Sequence, residues 1–140
     1  YVVRLRDTRH ITSTDFYGAP LVVRGNPSQL WQALVALMEN AIRYTPEAGR
    51  IVLRSRHQAD HAILEVEDDG IGIAEEDLAR IFDRFYRVDS AHSTPGFGLG
   101  LSIAKKVIEA HKGQISVQSD VGEGSLFRIT LPLHSSVSKG

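Results

Sequence analysis

Cysteine is absent, and methionine and tryptophan occur once each. Without cysteine there is no disulfide framework, no thiolate zinc site and no thiol nucleophile. No apolar run approaches the roughly 20 residues that a membrane helix needs. An excess of charge is missing too: sixteen Lys and Arg stand against seventeen Asp and Glu, a formal net charge of −1. So neutral a chain is not a general binder of nucleic acid or of anionic membranes, both of which demand a basic excess. Internal repeats and low-complexity tracts are absent as well. What remains is ordinary globular usage, 42% hydrophobic and 24% charged over 140 residues. That composition argues against disorder. The length predicts one domain, 1–140, able to bury a core unaided. Residues 1–9 read as a linker, a strand or the tail of a preceding element, and 134–140 as a tail. The first residue is Tyr1 and no signal peptide is visible, so we expect a piece of a longer protein.

Punctuation and period divide the chain. Residues 10–24 read as two short strands around Gly18-Ala19-Pro20, the second being Leu21-Val22-Val23. Gly25-Asn26-Pro27 breaks the chain, with Ser28 as the expected N-cap. From Ser28 to about Tyr44, Leu30, Ala33, Leu34, Leu37, Met38 and Ala41 form one apolar stripe at helical spacing. Residues 51–57 and 62–68 read as a hairpin, and 74–82 as a short helix. Residues 88–97, with Pro95 and Gly96, read as a loop. Residues 99–111 return to helical spacing and Gly113 is the expected stop. Residues 114–119 and 125–131 are the last strands, joined through Gly122-Glu123-Gly124. This order, β-β-α-β-β-α-α-β-β, predicts an α+β fold with helices gathered on one face of a largely antiparallel sheet.

Four segments carry candidate chemistry. In the strand 62–68, alternation puts Ala62, Leu64, Val66 and Asp68 on one face, and Glu65 and Glu67 on the other. Asp68 thus ends an otherwise apolar face, where a charge is costly unless hydrogen-bonded. Either a ligand supplies the donor, or the carboxylate caps the turn through Gly70 and Gly72. The second segment, Gly96 to Leu101, precedes a helix, and free first-turn amides favour an anion, phosphate above all. It is neither a dinucleotide fingerprint nor a P-loop; the alternative is a flexible loop at a helix start. The third is the first long helix, where Asn40 flanks the apolar stripe with Arg43 and Tyr44 one turn on. Its neutral oxygen suits a hard cation such as Mg²⁺ that keeps most of its waters, or a purely structural role. Glu39 points away from the stripe into solvent. The fourth is Phe82-Asp83-Arg84-Phe85-Tyr86-Arg87, whose aromatics could close over a ring and whose arginines could meet phosphates, or which could form a satellite apolar cluster.

The order and spacing of these segments resemble the ATP-binding catalytic domain of two-component sensor histidine kinases, within the wider gyrase-type (Bergerat) ATPase fold. The resemblance runs from about Leu21 to Leu131. Glu39 to Pro46 is similar to the N box, Asp68 to Ile73 to the G1 box, and Ile81 to Arg87 to the F box. Gly96 to Leu101 is similar to the G2 box, and Gly122 to Phe127 to the last glycine-rich turn. The resemblance implies a two-layer α/β sandwich, three helices over a mixed sheet of about five strands. It implies ATP and Mg²⁺ as cofactors. Asp68 would accept from the adenine amino group, and Asn40 would ligate Mg²⁺ with Arg43 and Tyr44 beside the nucleotide. Gly70, Gly72 and Ile73 would line the base, with Phe127 and Arg87 also in the site. Gly98, Leu99, Gly100 and Leu101 would cradle the phosphates, beneath a lid formed by 88–97.

Departures from the family pattern sharpen the expectation. Ala36 stands where many members carry a second N-box asparagine, and where the gyrase and MutL branch has a water-activating glutamate, so vigorous hydrolysis is disfavoured. Pro95 replaces a frequent glycine and stiffens the lid, and Asn26 replaces a common aspartate. His10, His57, His61, His92, His111 and His134 all lie outside any His-Glu or His-Asp phosphoacceptor context, and read as surface or packing residues. The resemblance therefore implies transfer of the γ-phosphoryl group to a histidine on a separate dimerisation domain. It further implies a response regulator as partner, a monomeric chain here, and a homodimeric parent anchored in the bacterial inner membrane with this domain in the cytoplasm. Two other readings share the fold or the site: a serine kinase of the anti-sigma type, and a nucleotide sensor without transfer.

Overall fold

A computed structural model of the chain describes residues 11–16, 23–46, 48–83 and 100–133. The elements are β1 (Ile11–Phe16), α1 (Pro27–Tyr44), β2 (Arg50–Gln58), β3 (His61–Asp68), α2 (Glu75–Leu78), α3 (Gly100–Ala110), β4 (Gln114–Asp120) and β5 (Gly124–Pro132). They form one sheet in the order β1-β2-β3-β5-β4. The four strands from β2 to β4 pair antiparallel, and β1 joins β2 in parallel at the edge. Three helices and this mixed sheet make the expected α+β sandwich.

Of the two N-terminal strands expected, the first is present as β1; Val23 is irregular, and Leu21, Val22 and the expected turn lie outside the described residues. β1 pairs with β2, which it reaches through α1. A parallel pair needs a crossover of a dozen residues or more, and the long helix supplies it. Short apolar runs cannot announce their partner, and pairing decided the topology here.

The N-cap of α1 is Asn26 rather than Ser28. Its side chain accepts a hydrogen bond from the Gln29 amide at 3.1 Å, and Pro27 occupies the first turn, where its missing N–H costs nothing. The second helix is a single turn, shorter than the expected 74–82. Ala74 at its N-cap offers no capping side chain, and the chain continues to Asp83 in tight turns closed by Arg80 N–H to Asp77 O and Asp83 N–H to Arg80 O, both 2.8 Å. α3 ends as expected near Gly113, but the left-handed residue is Lys112, at φ 63°. Gly113 N–H closes the end by donating to Ile108 O at 2.9 Å.

The core lies between the helices and one face of the sheet. Ala33, Leu37, Met38 and Ala41 of the predicted stripe are buried, with Leu30 and Leu34 half-buried beside them. They meet Ile51, Leu53, Val66, Phe127, Ile129 and Leu131 from the strands, and Ala104 and Ile108 from α3. α1 and α3 run antiparallel: His111, just past α3, accepts the Asn26 amide on Nε2 at 3.0 Å, while its Nδ1 donates to Val107 O at 2.7 Å. His111 is thus a packing residue with a set tautomer.

The outer face is not simply solvated. Glu65 is buried between Arg128, whose Nε and Nη2 both reach Oε2 at 2.7 Å, and Arg56 at 3.5 Å. Arg54 pairs with Glu67 beside it. Burial alone would raise the Glu65 pKa, but the hydrogen bonds and charges of Arg128 and Arg56 outweigh it and hold the carboxyl below the ordinary glutamate value. A depressed carboxyl adds stability above its unfolded pKa and loses it as pH falls through the folded one. Acid unfolding followed by circular dichroism should therefore shift on Glu65→Gln. We expect a loss of about 2 kcal/mol at pH 7, shrinking toward zero below the ordinary glutamate range.

Candidate functional site

α1 orders the site along its length. Gly100, the first residue of α3, faces Ala36: a Cβ on that glycine would lie 3.7 Å from the Ala36 methyl. One turn later comes Asn40, and one turn after that Tyr44, whose carbonyl accepts the Ile71 amide at 3.1 Å. At 1.5 Å per residue these levels are about 6 Å apart. A helix N-terminus, a buried carboxamide and the loop after β3 thus stand in sequence along one helix.

At the last level lies Asp68, 5% exposed at the end of β3. Its Oδ1 accepts the Gly70 amide at 2.9 Å, and the backbone amide of Ser125 donates to the same carboxylate. The turn-capping role is therefore real. It does not exhaust the group, because a carboxylate has about four acceptor sites and two are used. Burial raises the Asp68 pKa; the two amides oppose the rise, and the charges of Asp69 and Glu67 add to it. The unliganded protein thus holds a carboxylate that a further donor would stabilise.

Close backbone approach surrounds this group. A Cβ on Gly70 would lie 2.3 Å from the Tyr44 carbonyl oxygen, and one on Gly72, at φ 77°, 2.1 Å from that of Asp120. Neither position accepts a side chain without moving backbone. Gly122 N–H donates to Ile71 O at 2.8 Å, and the Ile73 amide to Ser119 Oγ at 2.8 Å, so the loop after β3 is tied to the β4–β5 turn.

The expected site residues divide into groups. Asn40, Asp68 and Gly70 are buried and lie along the α1 axis just described. Tyr44 is half-buried, and Arg43 is exposed. Ile73 and Phe127 are buried, Phe127 completely, its ring edge-on to Phe82 at 6.2 Å between centroids. Lys105 of α3 places its ammonium over the Phe82 ring, 5.7 Å from the ring centre. Gly100 and Leu101 begin α3, whereas Arg87, Gly98, Leu99 and the lid 88–97 lie outside the described residues. Ser119 and Ser125 were missed by sequence reasoning. Their signal was available: Ser119 shares the inward face of β4 with Ile115 and Val117, a polar position in an apolar row.

The fit to a metal and a nucleotide can be tested on these residues. Asn40 lies at the edge of the core, 9% exposed, and its carboxamide offers a neutral oxygen of the kind that suits a hard cation. No group of three His, Asp or Glu that could hold a metal occurs among the described residues, so such a cation would need oxygens from elsewhere, as triphosphate supplies. A buried carboxylate with spare acceptor capacity suits a base bearing an amino group.

A buried acceptor, glycine turns pressed against backbone and a helix start beyond them define the geometry of a nucleotide-binding α+β domain. Residues 25–135 match the family described as histidine kinase-, DNA gyrase B- and HSP90-like ATPase. The sensor histidine kinase RppB of Synechocystis is 42% identical over 125 residues, 88% of this chain and 28% of its own length. The mycobacterial sensor histidine kinase MprB superposes with a TM-score of 0.80 at 32% identity, covering 89% of this chain and 84% of that one. ShkA, in complex with AMPPNP, gives a TM-score of 0.77 at 27% identity over 89% of this chain and 26% of its own. The chain belongs to this ATPase family, among the catalytic domains of histidine kinases. It spans about a quarter of the length of the curated relatives it matches. No helix among the described residues is long and apolar enough to cross a membrane.

The Asp68 environment makes a direct prediction. A carboxyl whose folded pKa is raised stabilises the fold below its unfolded pKa and loses that contribution as pH rises through the folded one. Carbon-detected NMR titration of the unliganded chain should place the Asp68 midpoint above the ordinary aspartate range. A midpoint at or below that range contradicts the environment described here.

Proposed function

We propose that the domain binds Mg-ATP and donates its γ-phosphoryl group to a histidine on a separate dimerisation domain, as the first half of a two-component signalling exchange with a response regulator. The observation that carries this reading is the order along α1: base acceptor at the Tyr44 end, metal-type oxygen at Asn40, and helix N-terminus at Ala36. A nucleoside triphosphate runs in the same sense, from its base to the phosphates that would share a metal with Asn40.

Each residue then has a role. Asp68 accepts from the adenine amino group, and Gly70 and Gly72 let the loop backbone lie flat beside the base over Ile73 and Phe127. Arg43 and Tyr44 flank the nucleotide. Asn40 holds Mg²⁺, which when bound neutralises phosphate charge and aligns the transferring group. The amides opening α3 at Gly100 and Leu101 meet the phosphates, with Gly98, Leu99 and Arg87 completing the cradle under the 88–97 lid. Phosphoryl transfer asks mostly for positioning and charge stabilisation. Ala36 offers no group to activate water, so the domain waits for its acceptor rather than hydrolysing ATP. We place the chain, alone, as a monomer, and its parent as a homodimer anchored in the bacterial inner membrane with this domain, 1–140, on the cytoplasmic side.

Two measurements test the proposal. Asp68→Asn should weaken Mg-ATP and Mg-ADP by more than about 1.5 kcal/mol, roughly tenfold, in titration calorimetry; wild-type affinity in that variant removes the role given to Asp68. Incubating the chain with γ-labelled ATP and a separately made histidine-bearing helical hairpin from the parent should label the hairpin with acid-labile phosphate. Acid-stable label on a partner points instead to serine transfer, and saturable binding without any transfer points to a sensor.

A further inference from the structure

The geometry points to Ser119 as a positioning residue that sets which purines the site accepts, by fixing the direction of the Ser125 hydroxyl. We propose this on the basis of the nucleotide reading above, and it concerns the discrimination of amino from oxo purines.

Ser119 Oγ has three partners: the Ile73 amide at 2.8 Å, the Gly124 carbonyl at 2.7 Å and Ser125 Oγ at 2.8 Å. A hydroxyl carries one proton and two lone pairs. The Ile73 N–H can only donate, so it takes one lone pair. The Gly124 carbonyl can only accept, so it takes the proton. The remaining lone pair is left for Ser125, which must therefore donate. The Ser125 proton is spent on Ser119, and its oxygen can only accept from anything else.

Ser125 stands beside Asp68. The two are register partners across β3 and β5, both side chains lie on the helix-facing side of the sheet, and both residues are buried. Partners of this kind have Cβ atoms about 5 Å apart. Asp68 and Ser125 thus present two acceptors and no donor at the base-binding end. A ligand edge bearing an amino group satisfies them. An edge bearing a carbonyl oxygen meets acceptor against acceptor, and a buried mismatch of that kind is costly. Ser119 touches no ligand; it acts by holding Ser125 in one polarity. Without it the Ser125 hydroxyl could turn and donate, and an oxo purine would be tolerated.

The test compares Mg-ATP with Mg-ITP, which carries a carbonyl where ATP carries the amino group, by calorimetry on the 140-residue chain. Wild type should prefer ATP. In Ser119→Ala that preference should fall about fivefold, the worth of one neutral hydrogen bond, while Ser119→Thr, which keeps the hydroxyl, should retain it. Should Ser119→Ala fail to fold, Ser125→Ala removes the oriented acceptor directly and should lower the preference by a similar factor. A purely structural Ser119 would weaken both nucleotides equally. An unchanged ATP-to-ITP ratio in Ser119→Ala, or in Ser125→Ala, overturns the inference while leaving ATP binding intact. A wild-type chain that binds neither nucleotide overturns the functional reading, and this inference with it.

Discussion

A carboxylate has to be buried at position 68 and still have acceptor capacity to spare. Almost every feature around the site serves that requirement. Two backbone amides make the burial tolerable, one from the loop immediately after β3 and one from β5. Both depend on close backbone packing: Gly70 lies against the Tyr44 carbonyl, and a Cβ on Gly124, at φ 105°, would lie 2.0 Å from the carbonyl oxygen of Asp68 itself. The glycines are there because a side chain would separate the strand end from the backbone that solvates it. The acceptor capacity that the two amides leave unused is what a ligand donor would complete.

The long helix turns that local arrangement into a site of the right length. α1 is capped by Asn26 and pinned at the same end to α3 through His111. At its other end the Tyr44 carbonyl anchors the loop that carries Gly70 and Gly72. Under the proposed function, base, metal and phosphate positions would be set by this one helix and its two end contacts. The outer face of the sheet contributes differently. Its buried Glu65 is braced by Arg128 of β5 and Arg56 of β2, and so ties the middle strand to both neighbours on the face away from the helices.

Much of this was legible in the residue order. The stripe from Leu30 to Ala41, the hairpin β2–β3 and the closing pair β4–β5 lie within a residue or two of their expected bounds, because period and turn residues are local signals. Asp68 was marked by one polar residue ending an apolar alternation. The failures are all non-local or energetic. The parallel pairing of β1 depends on a crossover that no short run of residues announces. Asn26 displaced Ser28 as the cap because Pro27 fixes where the helix can begin. α2 is short because Ala74 cannot cap it. Ser119 carried a signal, one polar residue in the apolar row of β4, but the proton network it shares with Ser125 is visible only in their mutual distances.

Under the proposed function the domain holds nucleotide rather than consuming it, with charge and geometry provided here and the nucleophile left to a partner. That account stands on the hydrogen bond between Asp68 and the base. A crystal structure of the chain with magnesium and a non-hydrolysable ATP analogue measures it most directly. We predict an Asp68 carboxylate oxygen about 2.7–3.2 Å from the exocyclic nitrogen of adenine, with the Gly70 and Ser125 amides still in place. A nucleotide bound elsewhere, with that carboxylate touching only protein, contradicts the account.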